Sequence, residues 1–179
     1  MMGTGISKYS FVTLVWRVIA LHMITYLVAG MIFSTIFSYR QLYSQGSLSG
    51  LMKDFNSPWI AAGPGLQWIR GALYAAVIWP FRIYFFENKN GWLYLWLLFL
   101  GFAIFGTAGP SPGSLEGMIY TKISFREQLI GLPEVVLQTG AFSWLLVRWY
   151  QHPKKWLNIL AGITICLIIL MSLAGVFLK

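Results

Sequence analysis

The chain has 179 residues, 58% of them hydrophobic and only 10% charged, with a mean hydropathy of +0.67; a soluble globular domain averages roughly 25% charged residues. That composition excludes an ordinary soluble fold and points to a bilayer, where a 17% aromatic content with nine Trp suits the membrane interface. The net charge of +8 comes from basic residues dispersed without a Lys/Arg block, which argues against a nucleic-acid partner and for loop charges that set topology and meet anionic lipid headgroups.

A membrane-crossing helix needs about 20 mostly apolar residues. Five stretches approach or reach that length, over residues 18–37, 66–81, 92–108, 128–147 and 156–178. They are apolar on both parities and rich in Leu, Ile and Ala, whereas barrel strands alternate over roughly ten residues. The expected fold class is therefore all-α: one multi-pass transmembrane helical bundle of about five spans, residues 1–179 forming a single domain. The second and third stretches are the shortest, and a re-entrant pair there leaves three full spans.

In chain order, MMGTGISKYSFVTLVWRVIALHMITYLVAG has too long an apolar run for a signal peptide and no small-x-small cleavage site, so it reads as a retained first span. Its second residue is Met, which does not match the N-myristoylation pattern. His22 and Tyr26 stand four residues apart on this span. A long loop over residues 38–65 follows. The second span carries Gln67, Arg70 and Tyr74 at i, i+3 and i+7, one polar stripe on an apolar helix. After a short turn, RIYFFENKNG, the third span has no charged residue.

The second long loop, residues 109–127, contains PSPGSLEG. Gly113 and Gly117 flank Ser114 and Glu116, a setting for a tight backbone whose N–H groups would cradle an anion, and Glu116 is the candidate catalytic acid. Both long loops are rich in Gly and Pro yet interleaved with apolar residues, the mark of loops that pack back onto a bundle, with room for a short interfacial helix or a re-entrant turn in either. The fourth span holds Glu134 and Gln138, four residues apart. The fifth contains Cys166, the sole cysteine, which excludes an intrachain disulfide or a CxxC pair and reads as a small packing residue. Gly30, Gly162, Ala174 and Gly175 permit close helix contacts, including self-association into a homo-oligomer or contact with another membrane protein.

Orientation follows the positive charge near span ends. Lys8, Arg17, Arg82, Lys89, Arg148, Lys154 and Lys155 fall on one side; Arg40, Lys53, Lys122, Arg126 and Lys179 fall on the other. The larger set lies in short segments, so the N-terminus is expected in the cytoplasm and the C-terminus outside. A retained first span with no transit features suits the plasma (inner) membrane of a prokaryote.

Arg70 and Glu134 are the anomaly, since charges inside spans are costly and mark functional sites by default. Counting inward at ~1.5 Å per residue puts both roughly 6 to 9 Å below the same boundary, so an ion pair is expected, with Gln67, Gln138, Tyr26, His22 and Tyr74 around it. The plain structural alternative is a clasp that locks the bundle. For His22 it is an interhelical hydrogen bond, and for the tyrosines it is packing.

The motifs HExxH, GxSxG, Walker A and GxGxxG are absent, and His22 and His152 lie at different depths, which does not suit a bis-histidine haem. A metal site from His22, Glu134 and Glu116 has no supporting spacing. The reading expects no metal and no cofactor. Three functions remain: a transporter or channel-like protein handling a small molecule or ion at an outer-half cavity; a non-catalytic scaffold subunit; and an intramembrane enzyme on a lipid-like substrate, with Glu116 or Glu134 as general acid/base, Glu116 the better candidate, and Arg70 clamping an anionic group.

Overall fold

A computed structural model describes residues 10–45, 48–106 and 109–178, and every regular element among them is helical. α1 (Phe11–Ile36) is followed by the short α2 (Tyr39–Gln45), α3 (Pro58–Ile78), a 3-10 turn over Trp79–Phe81 and α4 (Arg82–Glu87). Then come α5 (Gly91–Ile104), α6 (Leu115–Tyr120), α7 (Phe125–Ile130), α8 (Leu132–Gln151) and α9 (Lys155–Phe177).

Three segments are long and apolar enough to cross a membrane: Phe11–Ile36, Phe125–Gln151 and Lys155–Phe177. The other two expected spans do form helices, α3 of 21 residues and α5 of 14. α3 is interrupted by Pro64 and diluted by Gly63, Gly65, Gln67 and Arg70, and α5 is shorter than a straight crossing of the hydrocarbon requires.

Local chemistry sets the boundaries. Ser38, at φ 48°, is the one non-glycine residue with positive φ among those described, and it turns the chain from α1 into α2. Pro58 starts α3 after Ser57, where its missing N–H has no helical partner to lose. Ser114 caps α6 by accepting from the Gly117 amide at 2.9 Å, and Ser124 caps α7. The α7–α8 junction falls at Gly131, with Pro133 in the first turn of α8 and unable to donate to the preceding turn.

α1 is the central helix, packed against α3, α8 and α9, while α3 also packs on α9 and α5 on α8. The core joins Leu14, Val18 and Met23 of α1 to Ile78 of α3, Leu95 of α5 and Leu146 of α8. Small residues bring α3 close to its neighbours. A Cβ on Gly71 would stand 2.8 Å from the Ile19 backbone, one on Gly65 would stand 2.9 Å from Ser172, and one on Gly175 would meet Ala61 at 2.8 Å. The Gly65 amide donates to Ser172 Oγ at 3.0 Å across the α3–α9 contact. Gly175, read from the sequence as a surface for self-association, is therefore used inside the bundle.

The exterior is apolar. On α9, Ile159, Ile163, Leu167 and Leu170 form one outward stripe, and Cys166 is exposed beside it, not a packed core residue. Buried backbone satisfied within helices and an apolar outer surface suit a lipid surround.

One charge assignment and the content of both long loops change. Arg17 lies not in a tail but two turns inside α1, 8% exposed, its Nη1 donating to the Trp149 carbonyl at 3.3 Å and its guanidinium stacked 4.5 Å from the Tyr150 ring. The loop expected over 38–65 contains α2 and the first turns of α3, and that over 109–127 contains α6 and the start of α7. Lys8, Lys179, residues 46–47 and the end of the third stretch at 107–108 fall outside the described residues.

Candidate functional site

The polar stripes read from the sequence converge on a cavity of about 750 Å³. α1 contributes His22 and Tyr26, α3 contributes Arg70 and Tyr74, and α8 contributes Glu134 and Gln138. Phe99 and Phe102 of α5 and Phe142 of α8 supply apolar wall, and α2 closes one side with Tyr39, Leu42 and Tyr43. Arg70 and Phe102 are exposed, so the cavity reaches the molecular surface.

The expected Arg70–Glu134 ion pair is not formed: each charge is held by a different tyrosine. Arg70 Nε donates to the Tyr74 hydroxyl at 2.7 Å, one turn along α3, and the guanidinium lies 5.5 Å from that ring. Glu134 Oε2 accepts from the Tyr39 hydroxyl at 2.6 Å. Both residues line one cavity, but the carboxylate is taken by Tyr39 of α2. Glu134 also stands in the first turn of α8, where the helix dipole favours negative charge.

Tyr39 is placed by a ladder of rings running from α1 into α2: Phe33 on Phe37 at 5.9 Å, Phe37 on Tyr39 at 6.4 Å and Tyr39 on Tyr43 at 5.5 Å. Burial and the hydrogen bond to Glu134 raise the Tyr39 hydroxyl well above the usual tyrosine range. Tyr43 is raised too, by burial and then by the charge of Glu134. Both therefore act as neutral phenols. Neither tyrosine was picked out from the sequence, where they sit in a stretch read as loop.

Gln67 does not line the cavity. Its side chain stands behind the wall, with Oε1 3.2 Å from His22 Nε2 and its amide donating to the Gly63 carbonyl at 3.3 Å. His22, 3% exposed, packs edge-on to Tyr74 at 4.9 Å, so this pair ties α1 to α3. Gln138 faces the cavity with no hydrogen-bond partner among the described residues.

Glu116 lies apart, in the first turn of α6 and away from the cavity wall. The loop around it is not an anion cradle. The Gly113 amide donates to Gln128 Oε1 at 2.7 Å, and the Gly117 amide is taken by Ser114. Gln128, 1% exposed, completes the knot by donating to the Gly117 carbonyl at 2.9 Å and to Thr121 Oγ1 at 2.8 Å. Gly113, at φ 83°, adopts the left-handed conformation that this tight loop demands. The loop is thus a fixed wall, bringing Ser111 and Gln128 to the cavity edge.

Among the described residues no three His, Cys, Asp or Glu side chains come together as a metal site. What the cavity offers is a large apolar volume, phenol and amide groups, one cation, Arg70, and two carboxylates, Glu127 and Glu134. Comparison with protein-family models, with curated proteins and with solved structures finds no match for this chain.

Proposed function

We propose that this multi-pass membrane protein binds a small amphipathic molecule carrying both charges, with its apolar body among Phe99, Phe102 and Phe142 and its charged groups at Arg70 and Glu134. The observation behind this reading is that Arg70 and Glu134 share a cavity of about 750 Å³ without pairing with each other. A large apolar pocket with a few convergent polar groups is the usual form of a small-molecule site. Opposite charges held apart by tyrosines match a zwitterion better than either ion alone, because each leaves its hydration only for an opposite partner.

In its transport form, the reading has α3 and α5 crossing the bilayer with the three longer helices, five spans in all, with the N-terminus cytoplasmic and the cavity in the outer half. A prokaryotic inner membrane and an oligomer able to provide a path belong to the same proposal. For the enzymatic alternative, Glu116 lies away from the cavity, which leaves Glu134 as its candidate acid/base.

The test is binding of an amphiphile series that shares one apolar body and carries zwitterionic, anionic or cationic heads, measured on the purified protein in neutral detergent. The zwitterion is expected to bind tightest. Arg70→Gln should weaken it about tenfold while circular dichroism stays unchanged, because Arg70 is exposed and holds only its own helix neighbour. Equal affinity for all three heads, or an Arg70→Gln variant that binds as well as the parent, would sink the reading.

A further inference from the structure

At the other end of α8, about 21 Å along the helix from Glu134 at ~1.5 Å per residue, a second groove opens between α1, α8 and α9. Its volume is about 550 Å³. One end is basic: Arg148, His152 and Lys154 line it, and Arg148 Nη1 lies 3.1 Å from His152 Nε2, so the two side chains point to one spot. No acidic side chain is among the described residues that line it. From there a trough of Leu157, Leu160 and Ala161 continues along α9, facing Leu21 and Ile24 of α1. Trp144 and Trp156 flank it, each about half exposed.

We infer that this groove is a binding site for an anionic phospholipid, its phosphate held by Arg148, His152 and Lys154 and one acyl chain laid in the trough. Basic pockets between transmembrane helices recognise anionic headgroups, and flanking tryptophans sit at the depth where headgroup meets chain. From Lys154 to Thr164 the trough runs about 15 Å along α9, room for most of an acyl chain but far more than a bare anion fills. A zwitterionic lipid would bring its own cation against three basic groups, with no carboxylate among the described residues that line the groove. The long stems of Arg148 and Lys154 extend apolar surface toward the headgroup while their charges stay at its level. The site is independent of the cavity at Arg70, sharing no lining residue with it.

Native mass spectrometry of the delipidated full-length protein in neutral detergent tests this, titrating phosphatidylglycerol, phosphatidylcholine of the same chains, and inorganic phosphate. Phosphatidylglycerol should bind about tenfold tighter than phosphatidylcholine, and phosphate should neither bind nor compete. The double variant Arg148→Gln/Lys154→Gln should lose that preference, whereas Lys53→Gln/Lys122→Gln, remote basic residues, should keep it. Leu160→Gln should weaken phosphatidylglycerol by severalfold with helicity intact by circular dichroism, since the residue is 52% exposed. Three outcomes would overturn the assignment: equal binding of the two lipids, a preference retained in the Arg148/Lys154 variant, or displacement of lipid by phosphate alone.

Discussion

Tyr39 and Glu134 show how much one contact outside the spans decides. The 2.6 Å hydrogen bond joins α2 to α8, and burial together with Glu134 holds the phenol neutral. Because the folded phenol loses its proton less readily than a free tyrosine, its contribution to stability is complete below the ordinary value of about 10 and is lost as the pH rises through the higher folded value. Ultraviolet titration should therefore show Tyr39 and Tyr43 ionising above the ordinary tyrosine range, with Tyr39→Phe removing one late-ionising phenol and costing about 1 to 2 kcal/mol of stability. A stability flat between pH 7 and pH 9 goes with the same account. At this scale the sequence was partly readable. His22, Tyr26, Arg70, Tyr74, Glu134 and Gln138 were all named from period and depth, and all line one cavity. Tyr39 and Gln128 were not, since what distinguishes them is the partner each meets far away in the chain, and no spacing encodes that.

The long apolar helices were legible as elements because their length and hydropathy are properties of contiguous sequence. The short ones were legible only as room for a short helix in either long loop, not as placed elements. α2, α4, α6 and α7 have six or seven residues each, too few to stand alone in water, and exist because caps and neighbours hold them. The start of α1 was placed late because Arg17 reads as a charge at a membrane edge, whereas in the fold it lies among Trp149 and Tyr150. Glycine is where element packing makes its sharpest demand. At Gly71 a Cβ would reach within 2.8 Å of the Ile19 backbone, and backbone cannot turn aside as a side chain can. Gly71→Val should push α3 off α1 at a cost of about 1 to 3 kcal/mol, seen as a lower midpoint in thermal unfolding in detergent. Gly63→Ala, where a Cβ meets nothing within 4 Å, is the matched control and should leave the midpoint nearly unchanged.

As a whole molecule, the bundle places two unlike sites at the two ends of α8, one with charges of both signs and one with basic charge alone. The net charge of +8 suggested only a general affinity for anionic surface; the fold concentrates part of it in one groove. The closing contact of the larger cavity carries a further consequence, for biogenesis. Tyr39 and Glu134 are 95 residues apart, and the turn at Asn88–Asn90 divides the chain so that Arg70 and Tyr39 are made in the first half and Glu134 in the second. Arg70 has its partner Tyr74 within the first half, whereas Tyr39 waits for a carboxylate made in the second. Chains split at that turn should accordingly bind the zwitterionic amphiphile only when both halves are synthesised in the same cell, with retention of ligand on the co-purified pair as the measurement and retention by either half alone as the contrary result. Until α8 arrives, α2 lacks the carboxylate that Tyr39 binds, so this wall of the cavity is completed only by the second half of the chain.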